Sequence, residues 1–154
     1  MNQNSATSFE RMVEDLRQEI ADREEALYSD VTLREARNPQ NVGPIEDPDL
    51  HGKVHGWCGD TMEIFLRVED ETIQKATFVT DGCGATLACG SMLTQMVTGM
   101  RLDKAEWVLP KDLMNALHGL PEEHEHCAGL AISTLQNALL NWRMSEMEKE
   151  EADG

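Results

Sequence analysis

The chain has 154 residues, of which 40% are hydrophobic, and carries a formal net charge of −16 from 29 acidic against 13 basic side chains. That length suits one compact domain with a single core and room for an extra helix, and so acidic a surface repels phosphate backbones and anionic headgroups, which argues against nucleic acid or membrane as partners. The opening MNQNSATSFERM lacks a basic stretch followed by an apolar one, and no run approaches the roughly 18 apolar residues needed to span a bilayer, so a cytoplasmic protein is expected.

From Thr7 to about Leu27, Phe9, Met12, Val13, Leu16 and Ile20 recur at the spacing of one helical face. Thr7 and Glu10 have the form of a capping box, which predicts an amphipathic helix starting there. Its apolar stripe is expected to pack on its own domain more readily than on a partner or in a dimer. Between Arg37 and Lys53 the pairs Asn38-Pro39, Gly43-Pro44 and Asp47-Pro48 predict an irregular, extended loop. Met62, Ile64, Leu66 and Val68 then alternate with Glu63, Phe65 and Arg67, and after a turn near Asp70 the run Ile73 to Thr80 is again rich in strand formers, so an antiparallel hairpin follows. Beyond Gly84 the pattern turns helical through Leu87, Met92, Leu93, Met96 and Val97 and ends at Gly99. Shorter helices are predicted near Asp103–Val108 and Lys111–Leu117, and a last one from about Cys127 through Trp142, with a polar tail from Glu146 to Gly154 fraying into solvent. The order gives an α+β fold: a small antiparallel sheet packed on one face by helices, with an additional N-terminal amphipathic helix. The divisions are residues 1–27 as a helical extension, 28–144 as the main domain and 145–154 as an acidic tail.

Four cysteines in a chain long enough to build its own core are not a disulfide framework. Three groups of ligand-type residues stand at element ends: Cys58-Gly59-Asp60 before the first predicted strand, Gly82-Cys83-Gly84 between strand and helix, and His126-Cys127 at the start of the last helix. Thiolate, imidazole and carboxylate donors of this number suit tetrahedral zinc or the iron of a cluster. Glycines at 82 and 84 let the backbone turn and approach Cys83 closely, and helix-start amides favour a thiolate at both Cys83 and Cys127. The spacing alone leaves separately buried cysteines and a catalytic Cys/His pair open as alternatives.

Taken in order, Ala36-Arg37-Asn38-Pro39-Gln40-Asn41-Val42-Gly43, Gly56-Trp57-Cys58-Gly59-Asp60, Asp81-Gly82-Cys83-Gly84 and His126-Cys127 resemble the IscU-type family, which includes the N-terminal domain of NifU. The resemblance covers roughly Tyr28 to Trp142. It implies a non-enzymatic scaffold that assembles a transient [2Fe–2S] cluster from iron and sulfur supplied by a cysteine desulfurase, then hands it to recipient apo-iron–sulfur proteins, acting as a monomer or homodimer. It also implies Cys58, Cys83 and Cys127 as thiolate ligands, Asp60 and His126 as the other ligand-site residues, and Cys127 as the favoured persulfide acceptor. A carboxylate or imidazole in place of a fourth thiolate departs from the ligation of stable ferredoxin clusters, in keeping with a cargo that leaves.

The chain departs from the family at Leu120-Pro121-Glu122-Glu123-His124, where bacterial members carry a Leu-Pro-Pro-Val-Lys segment recognised by an Hsp70-type chaperone, so release by that route is doubtful here. Cys89 is an extra thiol, read as a core residue. His51, His55, His118 and His124 are expected to be solvated, with His124 a weak ligand candidate by its nearness to His126. The alternative is a zinc-bound persulfide acceptor working with a desulfurase; such relatives carry an insertion between the second and third cysteines that is absent here. A cysteine hydrolase built on Cys127 lacks an orienting Asn or Asp. Zinc could occupy a genuine scaffold as purified.

Overall fold

The computed structural model describes residues 2–153, with side chains for 7–152. Three antiparallel strands, β1 (Leu50–His55), β2 (Thr61–Glu69) and β3 (Thr72–Thr80), lie in the order β1-β2-β3. Among the described residues there are six helices, α1 (Asn2–Leu27), α2 (Asp30–Arg37), α3 (Gly84–Val97), α4 (Leu102–Ala105), α5 (Pro110–Ala116) and α6 (Glu125–Asp153), and a 3₁₀ turn at Glu122–His124. The expected α+β arrangement is present.

The β2 alternation works as its sequence dictates. Met62, Ile64 and Leu66 are fully buried and, with Ile73, Ala76 and Phe78 of β3, meet Leu93 and Val97 of α3 and Leu135 and Leu139 of α6. Each of these side chains other than Ala76 contributes roughly 1.5–3 kcal/mol on leaving water. A register shift between Arg67 and Val68 lets Arg67 oppose Lys75 while Val68 opposes Ile73, which restores the apolar face beside the turn.

Four expectations change. The segment Arg37 to Lys53 is not wholly loop: its end is β1, whose Gly52 opposes Ile64. A Cβ at Gly52 would stand 2.3 Å from the Thr134 carbonyl oxygen and 2.6 Å from the Ala138 nitrogen, so this glycine is what lets α6 lie against the sheet. Helix α1 is already formed at Asn2, which makes Thr7 an interior position rather than the start. Its stripe does not pack on the domain, since Phe9, Met12, Leu16 and Ile20 are each more than half exposed. The tail does not fray from Glu146 either, because α6 continues to Asp153, with Lys149 3.3 Å from Glu146 on one helical face.

Helix α2, which the sequence reading did not identify, is begun by Ser29, whose hydroxyl accepts from the Thr32 amide at 3.0 Å. The Ser29 and Thr32 hydroxyls both donate to the Leu117 carbonyl. Buried Glu35 accepts from Ser91 at 2.5 Å and Gln95 at 2.9 Å, joining α2 to α3. Between α2 and β1 the chain runs along the outer edge of β3: the Phe78 amide donates to Asn41 and the Gly43 amide to Phe78. No helix among the described residues is long and apolar enough to cross a membrane.

Candidate metal centre

One end of the sheet gathers the site. Because His55 opposes Thr61 and Met62 opposes Thr80, the β1–β2 connection (56–60) and the β3–α3 connection (81–83) emerge side by side. The first is a tight turn closed by the Gly56 amide on the Asp60 carbonyl at 2.7 Å, and the Asp81 carboxylate accepts from the Thr61 amide at 2.7 Å to tie the two together. Cys83 is the N-cap of α3 and Cys127 the third residue of α6, so two helix starts bring their sulfurs to the same place.

Thr86 is the hub. Its hydroxyl lies 3.2 Å from Asp60 Oδ2, 3.4 Å from Cys127 Sγ and 3.6 Å from Cys83 Sγ. With one proton and two lone pairs it donates to the carboxylate or a sulfur and accepts from a thiol. Gly82 is required by this hub rather than by its own backbone angles, since a Cβ there would meet the Thr86 side chain at 2.7 Å. Gly84 has only ordinary contact with Ala36.

The two sulfurs differ in charge preference. Burial pushes the exposed-side thiol of Cys83 up, but the amide and hydroxyl of Thr86 and the Ala85 amide outweigh it, and its pKa falls below the ordinary value. Cys127 behaves otherwise than expected: it is fully buried, and desolvation raises its pKa to about 11, with the Thr86 hydroxyl opposing and the charges of Cys83 and Asp60 adding to the rise. The helix start is outweighed because Cys127 sits inside the first turn, among core side chains. Cys89 is buried within α3 and its thiol is pushed far up by desolvation, as suits a core residue.

The histidines divide. His124, at the end of the 3₁₀ turn, has one ring nitrogen in a group with the Cys83 and Cys127 sulfurs, all within 4.8 Å of one another. It is therefore not solvated as expected: its Nδ1 is buried without a hydrogen-bond partner, and its ring lies 5.6 Å from that of Tyr28. His126 Nε2 is 3.7 Å from Cys127 Sγ, and its ring is 5.4 Å from that of Trp57, which is 87% exposed. Cys58 is exposed and shares with His126 a separate cleft under Trp57.

Of the residues singled out in the sequence, Asp60, Cys83 and Cys127 thus meet at Thr86, His126 touches Cys127, and Cys58 shares a cleft with His126. Sequence reasoning missed Thr86, and the available signal was its position three residues after Cys83, on the same face of α3. The donor set is mixed, partly exposed and includes a buried unpaired nitrogen, which fits a thiophilic metal better than a closed structural zinc site.

Residues 27–149 match the family model of the NifU-like N-terminal domain. The chain is 38% identical over 117 residues to the iron–sulfur cluster assembly scaffold protein IscU 1 of Archaeoglobus fulgidus, covering 75% of this chain and 76% of that one. It is 37% identical over 128 residues to the scaffold protein IscU of Aquifex aeolicus, covering 81% and 82%. The crystal structure of a NifU-like N-terminal protein from Brucella abortus superposes with a TM-score of 0.60 at 17% identity, over 73% of this chain and 92% of that one, a likeness of fold. The chain belongs to the family of NifU-like N-terminal domains.

Proposed function

We propose that this protein is a scaffold on which a labile [2Fe–2S] cluster is built from iron and desulfurase-derived sulfur and then passed to apo-iron–sulfur proteins. The observation that carries this reading is the convergence of Cys83, Cys127 and the Asp60 carboxylate on the Thr86 hydroxyl, with two imidazoles beside them. Residues 28–144 carry the function, and the setting is the cytoplasm. Cys58, Cys83 and Cys127 hold the cluster as thiolates, with Asp60 or His126 completing the set. Iron and sulfide are cargo, and a carboxylate or imidazole among thiolates gives the cluster an exchangeable edge.

In this reading Cys127 is the persulfide acceptor. Its sulfur attacks the sulfane sulfur of the desulfurase persulfide, one S–S bond forms as another breaks, and the desulfurase leaves as a thiolate. The Cys127 proton passes to solvent, and the sulfane sulfur later becomes sulfide by taking two electrons from an external thiol reductant. Because Cys127 is fully buried, its sulfur must become accessible when the desulfurase docks. Zinc fits the same donors, so cluster formation, not metal content, is the discriminating readout. Anaerobic reconstitution with ferrous iron, cysteine and a desulfurase should give the visible absorption and circular dichroism of a [2Fe–2S] centre, lost in Cys58→Ser, Cys83→Ser and Cys127→Ser. A persulfide on Cys127 with bound zinc and no such spectrum would replace the scaffold reading by that of a sulfur carrier.

A further inference from the structure

Most residues of α1 with described side chains are exposed. Its last turn is tied to the domain, with Glu24 3.7 Å from Arg37 and the Tyr28 amide donating to the Glu24 carbonyl. Ahead of that turn, Phe9, Met12, Leu16 and Ile20 are 61%, 53%, 52% and 55% exposed. A lone helix in water is marginal, and most helical stability in proteins comes from packing an apolar face, so this stripe is a surface without its partner.

The spacing says what kind of partner fits. Phe9, Val13, Leu16, Ile20, Arg23 and Leu27 follow one another at alternating steps of four and three, all apolar but Arg23, with Met12 on the flank. That is the narrow seam of a two-helix coiled coil rather than the broad face of a helix lying on a sheet. Two copies paired in parallel would set Arg23 against Arg23 inside the seam and Glu19 against Glu24 at its edge, and such like-charge contacts oppose pairing. Turned antiparallel, Val13 of each chain meets Leu16 of the other and Phe9 meets Ile20, while Arg23 falls beyond this contact. Glu10 and Arg17, each next to a seam residue, then come to one edge from opposite chains, twice by symmetry.

The size of the contact agrees. The four exposed stripe residues present roughly 400 Å² on each chain, and with the aliphatic stems beside them a pair of helices buries about 1,000 Å², the lower bound for a specific interface and the range of weak ones.

We propose that α1 pairs antiparallel with α1 of a second copy of this chain, through Phe9, Val13, Leu16 and Ile20, to give a weak, reversible homodimer. The two main domains attach at opposite ends of the pair, with the Leu27 positions about 37 Å apart at a rise of 1.5 Å per residue, so this contact does not bring the two metal centres together. The proposal goes beyond the scaffold reading and does not rest on it.

Sedimentation equilibrium of the reduced, metal-free full chain, from micromolar to millimolar concentration, is the test. The wild type should pass from monomer to dimer across that range. Leu16→Glu should weaken association by about 100-fold or more, since it buries an unpaired charge in the seam. Glu10→Lys should weaken it about tenfold by placing two cations on one edge in each half of the contact. Combining Glu10→Lys with Arg17→Glu should restore wild-type association, a rescue that a damaged helix would not show. A wild type that stays monomeric throughout would overturn the proposal and leave the stripe to a different protein. A dimer indifferent to Leu16→Glu, or one that the combined charge exchange fails to restore, would also overturn it. Cluster reconstitution is independent of each of these results, because α1 supplies none of the donor residues of the metal centre.

Discussion

Thr86→Val removes one buried hydroxyl and keeps the branched shape. The hydroxyl serves the Asp60 carboxylate at 3.2 Å and the two sulfurs at 3.4 and 3.6 Å, from a fully buried side chain. A hydrogen bond to a charged group is worth about 1.5–3 kcal/mol and a buried added methyl returns about 0.8, so a stability loss of about 1–2 kcal/mol is expected. The chemical effect is larger in consequence: the Thr86 hydroxyl holds the Cys83 thiol down, so its loss moves that titration upward. The assay is the pH dependence of iodoacetamide alkylation of the metal-free protein in a Cys58→Ser background, where Cys83 is the remaining exposed thiol. The midpoint should rise in Thr86→Val and stay in place in Thr86→Ser, which keeps the hydroxyl. An unchanged midpoint in the valine variant, or an equal shift in the serine variant, would refute the hub.

Gly52→Ala should cost about 1–3 kcal/mol in urea unfolding, because the added methyl meets the Thr134 and Ala138 backbone rather than a movable side chain; wild-type stability would show that α6 does not press on β1. Asp60→Ala should hold a reconstituted cluster longer, read as slower transfer to apo-ferredoxin, and an unchanged rate would count against an exchangeable carboxylate edge. The metal-free protein should lose stability in alkali. Cys127 titrates at about 11 in the folded state against an ordinary 9.0, so the folded form binds more protons between those values and stability falls as pH rises from about 9 towards 11. Cys89 is raised further and acts in the same sense, so Cys89→Ala should flatten the decline seen in urea unfolding at successive pH values; an identical slope would contradict its burial as a neutral thiol.

The hairpin of β2 and β3 was legible because its period-2 pattern coincides with real burial of Met62, Ile64 and Leu66. β1 was not, because its partner-facing residue is Gly52 and its neighbours are His51 and Lys53; packing by α6 makes it a strand, and no local propensity announces that. α2 is short and highly charged, held by the Ser29 cap and by buried Glu35, whose donors lie 56 and 60 residues away in α3. In the site, thiol, carboxylate and imidazole declare their chemistry by type, and their clustering at element ends was readable. Thr86 has no such signature. His126 was legible through the His-Cys pair that carries the family resemblance, whereas nothing local in the sequence announces that a His124 ring nitrogen lies within 4.8 Å of the Cys83 and Cys127 sulfurs.

The central claim is that the cluster built here is cargo. The direct measurement is to reconstitute the protein anaerobically, remove free iron and sulfide, add apo-ferredoxin with a chelator present, and follow the circular dichroism of both clusters. The scaffold account expects the ferredoxin spectrum to grow as the scaffold spectrum decays, with the chelator capturing little iron. A cluster that stays on this chain, or reaches ferredoxin only when free iron and sulfide are restored, would contradict it.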